Sequence, residues 1–141
     1  MTFPNTEQVP KHLIRHFIRG YFDGDGCITL GNTITNNNQI YMNPRINILG
    51  TKNFLDGIAS NLPINDIKVG LKSGYKIYEI NIYKKESILK IMEYFYENSS
   101  FFLQRKYDKF LLVQDYMNKS SYNYKHSWFL SHSIMNVEDR K

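Results

Sequence analysis

The chain has 141 residues with 18 Lys+Arg against 13 Asp+Glu, a formal charge of +5, and 42% hydrophobic residues of which many are aromatic. That is enough apolar material to fill one core of ordinary domain size, which excludes global disorder, and no window approaches a membrane span or a signal peptide. One cysteine, Cys27, excludes an internal disulfide framework and an all-cysteine zinc site, so a non-secreted, reducing setting is expected, either bacterial or phage cytoplasm or an organelle matrix. The basic balance favours nucleic acid as partner over membrane.

From Pro10 to Phe22, apolar residues at Leu13, Ile14, Phe17, Ile18, Tyr21 and Phe22 follow the helical period, and the spacing predicts a helix with one buried face. From Cys27 the period becomes two. Ile28, Leu30 and Ile34 alternate with small polar residues, and a turn at Asn36–Asn38 leads to a strand with Met42, Pro44, Ile46 and Ile48 on one face, which predicts a hairpin with Pro44 at an edge or bulge. Thr51 caps a predicted helix over 52–62 that ends before Pro63. A second hairpin pairs Ile67, Val69 and Leu71 with Tyr78, Ile80 and Ile82 across Ser73-Gly74. Helical spacing returns at Ile88, Leu89, Met92 and Phe95, breaks at Asn98–Ser100, and resumes from Phe101 to about Asn118.

The order α-β-β-α-β-β-α-α predicts an α+β domain over 1–119, with four antiparallel strands and helices on one face. The tail 120–141, around Trp128, Phe129 and Leu130, is expected to dock on it as an extension. The uncovered sheet face displays Thr29, Thr33, Asn43, Arg45, Asn47, Lys68, Lys72, Glu79, Asn81 and Tyr83. Such donors and acceptors suit DNA bases and phosphates, although an uncovered polar face is also what plain solvation produces.

The first helix ends in Ile18-Arg19-Gly20-Tyr21-Phe22-Asp23-Gly24-Asp25-Gly26. Acids at a helix C-terminus oppose its partial negative charge, so a cation is expected to compensate them. Carboxylates beside exposed carbonyls suit Mg²⁺ at a phosphodiester. Gly20 lets a second backbone approach closely, and two copies of the helix about a dyad would bring both Asp25 side chains together with cations between them.

These residues resemble the LAGLIDADG motif of homing endonucleases: Gly20, Asp23, Asp25 and Gly26 coincide with it, and the wider order of elements matches over about residues 10–119. The resemblance implies the α-β-β-α-β-β-α fold with a saddle-shaped sheet in the DNA major groove. It implies a site-specific, Mg²⁺- or Mn²⁺-dependent endonuclease of intron or intein mobility that makes double-strand breaks at a long, partly palindromic site. Asp25, with the Gly24 carbonyl, is then the metal-binding and catalytic locus, and Asp23 is structural. Lys106, with Arg105 in reserve, brings a basic group to the catalytic water network, and Ile18, Gly20 and Tyr21 meet a second chain. A single motif copy implies a homodimer, although the motif variant also resembles the C-terminal half of two-motif members. Relatives place a polar side chain at the end of the second strand where this chain has Leu49-Gly50, with Thr51 or Lys52 as substitutes. A non-cleaving DNA-binding regulator or an intron RNA maturase is the alternative. His12 and His16 lack a third zinc ligand, and Cys27 lacks the partners of a nucleophile.

Overall fold

The computed structural model describes residues 2–72, 74 and 76–120; the predicted docking of 120–141 and the histidines at 126 and 132 lie outside the described side chains. A short 3-10 turn at Lys11–Leu13 leads into α1 (Ile14–Asp25), followed by β1 (Cys27–Thr29), β2 (Thr33–Ile34), β3 (Ile40–Tyr41) and β4 (Arg45–Gly50). Then come α2 (Lys52–Asn61), β5 (Val69–Leu71), β6 (Tyr78–Ile82), α3 (Lys85–Tyr96) and α4 (Gln104–Ser120). The main sheet runs β1-β4-β6-β5 and every pairing is antiparallel. Its inner face carries Ile28, Ile46, Ile48, Ile80 and Ile82, packed with Ile18 and Phe22 of α1, Phe54 and Leu55 of α2, Phe95 of α3 and Phe110 of α4. Alternation of period two on the strands and a stripe of period 3.6 on the helices suffice to bring these groups together. The core is strongly aromatic: Phe22 lies 5.2 Å from Phe95 and 5.9 Å from Phe110 between ring centroids.

The first predicted hairpin is interrupted. β1 pairs with β4 in the main sheet, while β2 and β3 form a separate two-stranded ribbon. The register is the same on both sides of the break, with Thr29 opposite Arg45 and Thr33 opposite Tyr41. That register brings Leu30 opposite Pro44, which has no N–H to offer the ladder. Gly31 beside it is left-handed at φ +56°, and a Cβ there would lie 2.6 Å from the Asn43 carbonyl oxygen, so only glycine fits. One sequence-predicted hairpin thus becomes two sheet segments, and Thr33 and Asn43 leave the main sheet.

Thr51 caps α2 as expected, its Oγ1 accepting from Phe54 N at 3.3 Å. The last helix starts at Gln104, three residues later than the apolar pattern of 101–103 predicts. Leu103 stands before it, its N–H donating to Asp23 Oδ2 at 3.0 Å, so a side chain of α1 sets where α4 begins.

Candidate active site and nucleic-acid interface

The two motif acids, two residues apart on α1, point about 200° apart around the helix. Asp23 turns toward α4 and accepts the Leu103 N–H, which brings a negative charge to the N-terminus of α4 where it is favoured. In return Lys106, in the first turn of α4, reaches back to the end of α1. Its buried ammonium donates to the carbonyl oxygens of Phe22 at 2.6 Å, Asp23 at 2.9 Å and Gly26 at 2.5 Å. Each helix therefore caps the other, and the cation that the acids require is a lysine from the far end of the chain. Gly26 is the hinge of this closure, because a Cβ there would meet the Phe22 carbonyl oxygen at 2.8 Å and the Phe22 ring.

Three N–H donors and three carbonyls leave Lys106 none for a water molecule. The ammonium thus closes the helix terminus, a structural task beside the catalytic one that the resemblance implies for it. Burial lowers its pKa as the largest effect, with Asp23 raising it, Arg105 lowering it, and Cys27 and Asp25 raising it. Arg105 is exposed beside it. Asp25 is exposed at the end of α1, and the Gly24 carbonyl is not among those that Lys106 engages. Among the described residues no three His, Cys, Asp or Glu side chains gather into a metal cage. A single carboxylate with a neighbouring carbonyl is an open, oxygen-only donor set, which fits a hard cation that keeps waters and takes substrate phosphate.

The outward face of α1 carries Gly20 and Gly24, and a Cβ at either would meet none of the described residues within 4 Å. Ile18 does not belong to that face. It is fully buried in the chain's own core, which removes it from the predicted contact with a second chain. Tyr21 is also turned inward: its ring lies 4.5 Å from that of Phe54 and its hydroxyl donates to the Leu49 carbonyl at 2.6 Å. Burial and then Asp25 raise its pKa. Gly50 packs beside this tyrosine: a Cβ there would lie 3.2 Å from the phenol oxygen and 3.3 Å from Leu55, so one of these side chains would have to shift slightly. Both predicted substitutes have structural work of their own. Thr51 caps α2, and Lys52 pairs with Asp56 at 2.9 Å.

On the open sheet face, Arg45 and Asn47 of β4, Glu79 and Asn81 of β6 and Thr29 of β1 stand half-buried together. Lys68, Lys72 and Tyr83 flank β5 and β6, while Thr33 lies in the ribbon and Asn43 in the connection after it. Asn47 is a hub that strand alternation could not reveal: its Nδ2 donates to Glu79 Oε1 at 2.9 Å and to Asn81 Oδ1 at 2.8 Å. Sequence reasoning also passed over Arg19. It is buried and donates to the Phe95 carbonyl at 2.7 Å and Ser99 Oγ at 2.7 Å, with His16 Nδ1 at 2.8 Å. A charged residue within an apolar helical stretch was the available signal. His16 is thereby tied to Arg19, and burial, then Arg19, Arg15 and His12, lower its pKa.

No family model and no curated protein matches the chain. Solved structures do. An archaeal intron-encoded homing endonuclease, I-Vdi141I, complexed with DNA, superposes at a TM-score of 0.62 with 16% identity over 79% of this chain and 70% of that one. The group I intron-encoded homing endonuclease I-CeuI, complexed with DNA, gives 0.61 at 13% identity over 77% and 56%. The LAGLIDADG meganuclease I-AabMI, bound to uncleaved DNA, gives 0.57 at 18% identity over 77% of this chain but 38% of its own length. The chain has the LAGLIDADG homing endonuclease fold. In the LAGLIDADG fold, as this chain builds it, the motif is one helix whose terminus is locked to α4, and none of the described helices covers the sheet face beside that terminus.

Proposed function

We propose that the chain is a site-specific, divalent-metal-dependent DNA endonuclease that works as a homodimer on a long, partly palindromic duplex. The observation that carries this reading is the contrast between the two acids: Asp23 is engaged in the helix clamp, whereas Asp25 is exposed at the edge of a polar sheet face that none of the described helices covers. The clamp holds Asp23 structurally and needs nothing from Asp25, so a carboxylate at a helix C-terminus is left without a structural reason. Gly20 and Gly24 support the dimer. Each glycine costs a helix about 1 kcal/mol against alanine, none of the described residues occupies the space beside them, and a second copy of α1 at close range accounts for both.

In hydrolysis a water oxygen bonds to phosphorus as the opposite P–O ester bond breaks, and the departing oxygen must gain a proton. Asp25 and the Gly24 carbonyl would hold Mg²⁺ or Mn²⁺, which when bound neutralises phosphate charge and makes water a better nucleophile. Lys106 fixes the helix terminus so that Asp25 is positioned before DNA arrives, and its charge adds to the field there. Arg105 is the exposed cation that meets a backbone phosphate. Arg45, Lys68 and Lys72 anchor the duplex, while Thr29, Thr33, Asn43, Asn47, Glu79, Asn81 and Tyr83 face it. The setting is the expected one, a cytoplasm or organelle matrix.

Gly50 favours a second reading, a non-cleaving DNA-binding regulator or RNA maturase, because it offers no polar side chain where the resemblance implies one. One experiment separates the two. Sites selected from a randomised duplex library should be cut in Mg²⁺ and spared in EDTA, and Asp25→Asn should abolish cutting while binding persists. Binding without cutting by the wild type supports the second reading, and unchanged cutting by the variant defeats the role given to Asp25.

A further inference from the structure

The hub at Asn47 determines more than rigidity. An asparagine side chain has one amino group with two N–H donors and one carbonyl oxygen, and swapping the two exchanges donors for acceptors with no change of shape. Beside Glu79 that freedom is lost. A carboxylate accepts only, so Asn47 must turn its amino group toward Glu79 Oε1, and the second N–H then meets Asn81 Oδ1. Asn81 is oriented in turn: with its oxygen engaged, its amino group faces away from Asn47, and among the described residues that group has no partner. Asn47 stands directly opposite Cys27 on one side and Asn81 on the other, so the relay crosses the sheet two residues after Asp25. Gly70, opposite Glu79, leaves open space beside it.

We propose that Glu79 is a positioning residue that sets, through Asn47, which hydrogen-bonding edge Asn81 presents to DNA, so that Asn81 reads as a donor and Asn47 and Glu79 read as acceptors. This rests on the proposed reading of the sheet as a duplex-binding face. In the major groove, guanine O6 and N7 are adjacent acceptors, while its partner cytosine offers the N4 donor. A G·C pair therefore satisfies the triad, with guanine on Asn81 and cytosine N4 on Asn47 or Glu79. Its place beside the motif terminus puts that pair close to the scissile phosphates.

The relay can be reversed with its charge conserved. In the double variant Asn47→Asp with Glu79→Gln, position 47 can only accept, so it takes N–H groups from position 79 and from Asn81, and Asn81 must show its oxygen outward. Two measurements test this. In the free protein, side-chain amide exchange by NMR should find the Asn47 amino protons protected about tenfold over those of Asn81, and in the double variant the Asn81 protons should become the protected ones. In duplex selection, the preferred base at one position of each half-site should move from guanine to a base with an amino donor, adenine or cytosine, by about tenfold. A role in sheet stability alone would weaken binding to every sequence and leave that preference in place, which would overturn the proposal. Equal exchange of the two amides in the wild type would overturn it as well. Should the double variant not fold, Glu79→Gln alone decides, since it should equalise the two exchange rates and erase the guanine preference. If the wild type selects no duplex while the exchange pattern holds, the relay stands, but the reading of the sheet, and with it base recognition, is refuted.

Discussion

Asp23 and Asp25 are the same residue type two positions apart, yet their surroundings give them different work. Asp23 completes one end of α4 and Lys106 completes the end of α1, so each helix terminus is satisfied by the other element. The sequence shows that acids at a helix C-terminus need a cation; it does not show that the cation arrives from more than 80 positions downstream, because no local period connects the two. Replacing Lys106 with methionine keeps most of the apolar stem but strips three carbonyls of a charged donor. Hydrogen bonds to charged groups contribute about 1.5–3 kcal/mol each and are not additive, so urea unfolding should show a loss of about 2–4 kcal/mol. A loss below about 0.5 kcal/mol, the size of an ordinary surface change, would show that the clamp does not hold the terminus. The pH dependence has a defined sign. Burial lowers the Lys106 pKa below 10.5, so between the lowered value and 10.5 the unfolded chain holds more protons than the folded one and stability rises with pH. The Tyr21, Tyr94 and Tyr96 phenols, raised by burial, act in the opposite direction above pH 10 in both proteins. The difference between the wild-type and Lys106→Met curves therefore isolates the lysine.

At the scale of elements, α1 is a helix with two unlike faces. Its inner face of Ile14, Ile18 and Phe22 is core, and the 3.6-residue period made that face legible. Its outer face is legible only through Gly20 and Gly24. If a second copy lies against them, Gly20→Ala should produce opposite effects on folding and association. The isolated chain should gain up to about 1 kcal/mol from the better helix former, because the added Cβ touches none of the described residues. Sedimentation should show a weaker dimer, because the methyl groups hold two backbones apart. Higher stability with unchanged association would remove this face from the interface. The first hairpin, in contrast, was only half legible. Alternation gave the pairing partners and Pro44 gave the weak point, but the break also needs Gly31 to turn left-handed against the Asn43 carbonyl, and glycine does not declare its φ in a sequence. Ile18, expected from the resemblance to meet a second chain, lies in the core of this chain, because helical phase decides which residues of a helix face outward.

For the whole molecule, the layered arrangement follows from pattern alone, since a sheet apolar on one side collects the helices there and leaves its polar side to water or to a ligand. What pattern cannot supply is the number of chains at work. On the proposed endonuclease reading, one chain brings one exposed Asp25 to a duplex with two scissile phosphates of opposite polarity, so symmetric cleavage would call for a dyad that relates two chains. Tying two copies into one polypeptide with a flexible linker makes the two sites independently addressable. With both copies intact, supercoiled plasmid carrying the selected site should be linearised in Mg²⁺, and with Asp25→Asn in both it should stay supercoiled. The fusion with one altered copy decides the matter. If each Asp25 serves the strand beside it, this fusion should bind as tightly as the others and stop at the nicked circle. Continued linearisation at an undiminished rate would mean that one carboxylate suffices for both strands, and the symmetric division of labour between two chains would have to be abandoned.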